Sequence, residues 1–186
     1  QAAAGALGGG LIAGIGATAA DQNGPSAADW DWLVRKAKEV IAASRIDLPG
    51  GVSGWKPIPQ GAYAGFWLRD FVYMLQGCPQ AFDVAEAGAG LQFLLDRQSP
   101  DGVMPSYYNV LADRPVYQCI GANPEEDGAQ FAVLGTKAIC DLARDERFFV
   151  RNAARLERAM AGGVTRCPIT GLIWINPLEP HSGYGF

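Results

Sequence analysis

The sequence predicts an all-α fold built of α-hairpins. Three observations carry that prediction. Five segments place apolar residues at helical spacing between start and stop signals. The connections between them alternate: long, short, long, short, long. Each long connection also runs into a charged and aromatic cluster at, or just before, the next helix start. These clusters are Trp67-Leu68-Arg69-Asp70, Glu125-Glu126-Asp127-Gly128 and Glu179-Pro180-His181-Ser182.

Taken in order, residues 1–25 form an export-signal-like segment and linker. Leu7, Leu11, Ile12 and Ile15 lie in an uncharged Ala/Gly-rich tract, and Ala17-Thr18-Ala19 is an A-x-A cleavage pattern before a polar stretch. The glycine-diluted hydrophobicity suits a twin-arginine signal more than a general secretory one, and it is too weak for a membrane span. The expected location is exported, periplasmic or extracellular. A low-complexity linker is the other reading.

The first helix is expected over 26–44. Ser26 and Asp29 resemble a capping box, and Trp30, Leu33, Val34, Ala37, Val40 and Ile41 mark one apolar face. An irregular stretch follows over 45–62, punctuated by Pro49-Gly50-Gly51, Pro57 and Pro59. The second helix is expected over 63–77, with Phe66, Trp67, Val72, Tyr73 and Met74 mostly buried. A break at Cys78-Pro79-Gln80 leads to a third helix, about 83–98. A long loop over 99–124 opens with a turn at Ser99-Pro100-Asp101-Gly102, in which Asp101 is read as a turn residue. The fourth helix runs from about 125 to 144 and the fifth from 148 to 161, stopped by Gly162-Gly163. Antiparallel helices joined by alternating long and short loops put the long loops on one rim. Long ordered loops in a compact domain are usually functional.

Bulk properties exclude several classes. The 186 residues suit one domain or part of a larger one, and 49% hydrophobic content can build a core. A net charge of −4 argues against nucleic acid and an anionic membrane surface. The single histidine, His181, rules out a zinc site of several histidines, and Cys78, Cys119, Cys140 and Cys167 form no C-x-x-C pair. These cysteines could be buried thiols or form one or two disulfides. The chain starts at Gln1 without a Met and stops at Phe186 within a Gly-Tyr-Gly-Phe run, so a piece of a longer protein is expected.

The 63–77 stretch is the centre of the functional reading. It sets an adjacent Arg69 and Asp70 among aromatic rings. Charged residues belong in a buried helix only when paired or holding something. A fixed cation and anion beside an indole suit a polyhydroxylated ligand: the ring stacks on the apolar sugar face and the charges take hydroxyls. A buried structural ion pair is the competing account.

Trp67-Leu68-Arg69-Asp70 at an inner helix head, then Asp127-Gly128, then a segment with Trp174 and Glu179, resembles the six-hairpin glycosidases. The glucoamylase-like hydrolases are the nearest comparison, and the likeness covers roughly residue 29 to the end. The resemblance implies that 26–186 is the N-terminal part of an (α/α)6 barrel. It implies that Arg69 and Asp70 hold hydroxyls of the sugar being cleaved, that Trp67 shapes the pocket, and that Asp127 orients substrate or a neighbouring Arg. It implies Glu179 as general acid, with Ile175-Asn176-Pro177-Leu178 standing where the family sets Trp beside Glu. The general base would lie beyond Phe186.

The reaction implied is inverting hydrolysis of a glycosidic bond, with two carboxyls about 6.5–9.5 Å apart. It needs neither metal nor organic cofactor, although loop carboxylates and carbonyls could bind calcium. The expected partner is an oligosaccharide or glycoside, with no nucleic acid and, in the mature form, no membrane. Each candidate also has a plainer role. Glu179 can be a surface loop residue, and Asp127 a helix-start carboxylate. His181 can hydrogen-bond a sugar or fix its loop. Tyr107 and Tyr108 can line subsites or cap the core. The alternatives in function are a phosphorylase or lyase on the same scaffold, or a non-catalytic carbohydrate-binding α-hairpin protein. No clear phosphate pocket and no fixed repeat period is legible.

Overall fold

The first helix begins where a serine and an aspartate satisfy each other's backbone. Ser26 Oγ accepts from Asp29 N at 3.2 Å, and Asp29 Oδ2 accepts from Ser26 N at 2.9 Å. Two N–H groups that the helix start leaves without intrahelical acceptors are thereby met. This computed structural model describes residues 24–61, 63, 65–117 and 127–162. Helix α1 spans Ala27–Ala43. Its inner stripe is Val34, Ala37 and Ile41, of which Ile41 is buried. Trp30, Leu33 and Val40, expected on that covered face, are about half exposed.

The stretch read as irregular is a β-hairpin. Strands β1 (Arg45–Leu48) and β2 (Val52–Trp55) pair antiparallel, with Leu48 opposite Val52. Gly50 and Gly51 both sit at left-handed φ, 79° and 74°, which is why Pro-Gly-Gly closes the strands rather than merely interrupting the chain. The hairpin is anchored by Trp55, 3% exposed, which stacks on Phe71 at 5.1 Å and meets Phe82 edge-on. Glu86 clasps it from below, accepting from Arg45 Nε at 2.8 Å and Ser53 Oγ at 2.6 Å.

The second expected helix is shortened by a strand. Gly65–Trp67 is β3, and α2 spans Leu68–Gly77. The loop expected over 99–124 contributes β4 (Tyr107–Asn109) and β5 (Arg114–Val116), and the sheet order is β3-β4-β5, antiparallel. Of the residues expected to be buried on the second helix, Phe66 is buried but on a strand, and Tyr73 is 58% exposed. A 3-10 turn at Pro79–Ala81 then leads to α3, Val84–Leu95, capped by Asp83, whose carboxylate accepts from Ala85 N and Glu86 N. The turn at 99–102 forms as expected, with Gly102 N bonded to Ser99 O and Gly102 at φ 97°.

Helix α4 spans Gly128–Ala143 and α5 spans Arg147–Gly162. Helices α2, α3 and α5 all pack against α4. Gly135 marks the crossing: a Cβ there would lie 2.8 Å from Val72 of α2 and 3.2 Å from Leu91 of α3. The described residues are thus mostly helical, as predicted, with two small sheets added. No helix among them is long and apolar enough to cross a membrane. Cys78 and Cys140 are free thiols; Cys119 and Cys167 lie outside the described residues.

A reciprocal amide pair ties α5 to α3. Asn152 Nδ2 donates to Gln92 Oε1 at 2.8 Å, and Gln92 Nε2 donates to Asn152 Oδ1 at 3.0 Å. Asn152 is fully buried, and its Nδ2 also donates to Phe148 O at 3.1 Å. Replacing Asn152 by alanine takes the donor from Gln92 Oε1 and leaves a small void, while Gln92 Nε2 keeps its bond to Asp96. The expected cost is about 2 kcal/mol. Thermal unfolding should show it as a fall in Tm of roughly 4–8 °C. An unchanged Tm would show that the pair contributes nothing to stability.

Candidate functional site

The site forms where the chain leaves β3 and enters α2. Trp67 is the N-cap of α2 and offers no side-chain cap. The carbonyl of Ser106 supplies the missing acceptor instead, taking the Leu68 N–H at 3.0 Å. The start of α2 is therefore held by the strand that carries Tyr107, although the two lie far apart in sequence.

Strand alternation sorts the aromatic residues. Trp67 and Tyr107 are register partners on one face of the sheet, and their rings stack at 4.1 Å with 13° between planes. Tyr63, 52% exposed, meets Trp67 edge-on at 5.9 Å. Phe66 and Tyr108 are partners on the opposite face, within the core. The two tyrosines grouped together in sequence thus divide. Tyr107 belongs to the outer aromatic cluster. Tyr108 is a core residue, 3% exposed, set edge-on to Phe93, with its hydroxyl donating to Asp113. Burial pushes that hydroxyl above its usual 10.0, and the Asp113 carboxylate adds to the effect. A subsite role for Tyr108 is not compatible with this position, because the ring has no surface to offer.

Gly65 makes the aromatic stack fit. A Cβ at Gly65 would lie 2.6 Å from Tyr107 Cδ2, 3.1 Å from the Tyr108 carbonyl and 3.2 Å from Trp67 Nε1. Gly65→Ala is therefore expected to displace Tyr107 from Trp67, at a cost of about 1–3 kcal/mol. Near-ultraviolet circular dichroism should lose aromatic signal while the far-ultraviolet helical signal persists. Unchanged near-ultraviolet signal would mean the stack survives the added methyl.

Arg69 reaches across to α4, the contact that orienting a neighbouring Arg would require of Asp127. Arg69 Nη2 bridges to Asp127 Oδ2 at 2.5 Å, with the side chains 23% and 37% exposed. Its guanidinium also lies 5.7 Å from the Phe131 ring centroid. Asp127 and Phe131 are four apart at the start of α4, so both reach the same cation. Asp127 makes no capping bond to its own helix; its carboxylate turns to Arg69. Asp127 thus stands at the helix start, where the dipole favours a carboxylate, and pairs with Arg69 as well. Asp70, one residue after Arg69, is half-buried on the first turn of α2. Burial holds its carboxyl above the ordinary 3.8. Its own backbone N–H and the Arg69 guanidinium pull the other way without cancelling the effect.

Two of the three loop-end clusters read from sequence therefore meet. Trp67 ends β3, Arg69 and Asp70 lie on the first turn of α2, Tyr107 opens β4, and Asp127 heads α4. Trp174, Glu179 and His181 lie outside the described residues. Phe131 and Tyr63 were not among the candidates. The i, i+4 spacing of Asp127 and Phe131 was the signal that would have added Phe131. No group of three metal-ligating side chains occurs among the described residues.

Shape and chemistry point to different places. Clefts of about 710 and 740 Å³ run along α3–α5 and α4–α5. Neither touches Trp67, Arg69, Asp70 or Asp127. The first is lined by small residues and arginines already engaged locally, such as Arg147 with Asp145 and Arg155 with Asp96. The rim at α2 and α4 brings together an ion pair, a desolvated carboxyl and stacked rings, and it is the better candidate.

Fold and site together define a mostly helical protein with a charged and aromatic cluster where α2 and α4 meet. No protein-family model, curated protein or solved structure matches this chain.

Proposed function

We propose that this chain is an exported glycoside hydrolase, its helices part of an (α/α)6 barrel, that cleaves a glycosidic bond by inverting acid–base hydrolysis. The observations that carry the reading are the Arg69–Asp127 ion pair and, two residues before Arg69 in the chain, the Trp67–Tyr107 stack. Each of these contacts joins segments that are distant in sequence. Sugars are recognised by that combination: planar rings under C–H faces, and charged groups on hydroxyls. Arg69 supplies donors, Asp70 and Asp127 supply acceptors, and Asp127 also fixes the direction of the guanidinium. Tyr107 occupies one face of Trp67, so the sugar meets the other face or the edge of this pair. Glu179 is the general acid in this reading, and Trp174 and His181 are substrate-binding residues of the same stretch of sequence.

The test is to incubate the complete protein, with the general base that this reading places beyond Phe186, with oligosaccharides and aryl glycosides and follow the first-formed anomer by proton NMR. Release of the inverted anomer is the expected result. A retained anomer would sink the inverting mechanism. Saccharide binding without turnover, read by tryptophan fluorescence, would move the protein to the non-catalytic carbohydrate-binding class. No binding of any saccharide would end the carbohydrate reading.

Asp70 gives a check that needs no substrate. Its folded pKa is raised, so the folded state holds its proton more tightly than the unfolded chain. Stability from this group is therefore present below 3.8 and falls as pH rises through the raised folded value. Asp70→Asn removes the buried charge. The variant should melt above the parent at pH 7, and the gap should close as pH drops below 3.8. A residue kept at a cost in stability is a mark of function. A variant that melts lower at neutral pH would show that the carboxylate is structural.

A further inference from the structure

We draw no further inference here: the strongest candidate, the open groove between α4 and α5 lined by Val133, Thr136, Cys140 and Phe149, is an uncovered helix face for which nothing in the structure shows what covers it.

Discussion

Arg69→Ala is expected to lower glycoside binding or turnover by about 100-fold while the protein stays folded. The magnitude follows from losing charge-assisted hydrogen bonds of about 1.5–3 kcal/mol in a partly desolvated site. The fold should survive because the pair is only partly buried, so its loss costs less than the roughly 3–5 kcal/mol of breaking a fully buried one. The hydrophobic packing around α2 does not depend on this residue: Leu68, Phe71, Val72 and Leu75 are the side chains it buries. Arg69→Lys separates charge from geometry. A lysine keeps the charge but not the planar fork that spans Asp127 and a ligand oxygen, so it should recover only part of the loss. Near-normal activity in Arg69→Ala, with an unchanged melting curve, would remove Arg69 from the site and leave the ion pair as a structural contact. Asp127→Asn should weaken binding less than Arg69→Ala, because it loosens the cation without removing it.

Glu179→Gln should lower turnover by about a hundred- to ten-thousand-fold, the usual contribution of a positioned proton donor. Sugar binding should change little, because glutamine has the shape of glutamate and still hydrogen-bonds. The leaving group supplies the discriminating measurement. A dinitrophenyl glycoside departs as a stable anion and needs no proton, so its hydrolysis should be nearly unaffected. A natural oligosaccharide needs the proton and should show the full loss. The basic limb of the pH profile, where the acid loses its proton, should also vanish in the variant. Equal losses on both substrates would assign Glu179 a binding or structural role, and unchanged turnover would exclude it from the chemistry. The Arg69 and Glu179 results are independent, since one reads ground-state recognition and the other proton transfer.

Much of the helical frame was legible residue by residue. Ser26 and Asp29 announced the first helix, and Gly162 the end of the fifth. These are local signals: a cap bonds to N–H groups two or three residues away, and a stop follows from backbone freedom at one position. The Asp101-Gly102 turn was legible for the same reason. The strands were not. Gly65-Phe66-Trp67 reads as the start of an apolar helix, and only pairing with Tyr107–Asn109 makes it a strand. Three-residue strands carry too little alternation to declare a period.

The site divides along the same line. The amino-acid sequence by itself determined that Arg69 and Asp70 sit at a helix head among aromatic residues, and that the loop ends cluster polar groups. It could not choose between the two roles that the resemblance implied for Asp127, orienting substrate or a neighbouring Arg, or place Phe131 behind the cation. Nor could it separate Tyr107, stacked outside on Trp67, from Tyr108, sealed in the core. Those outcomes follow from which strand face each tyrosine takes and from how α2 packs on α4. Both are contacts between residues far apart in the chain, so no local pattern encodes them. Tertiary packing decided them, because an ion pair or a stacked ring needs two groups at one place, and only the folded chain puts them there.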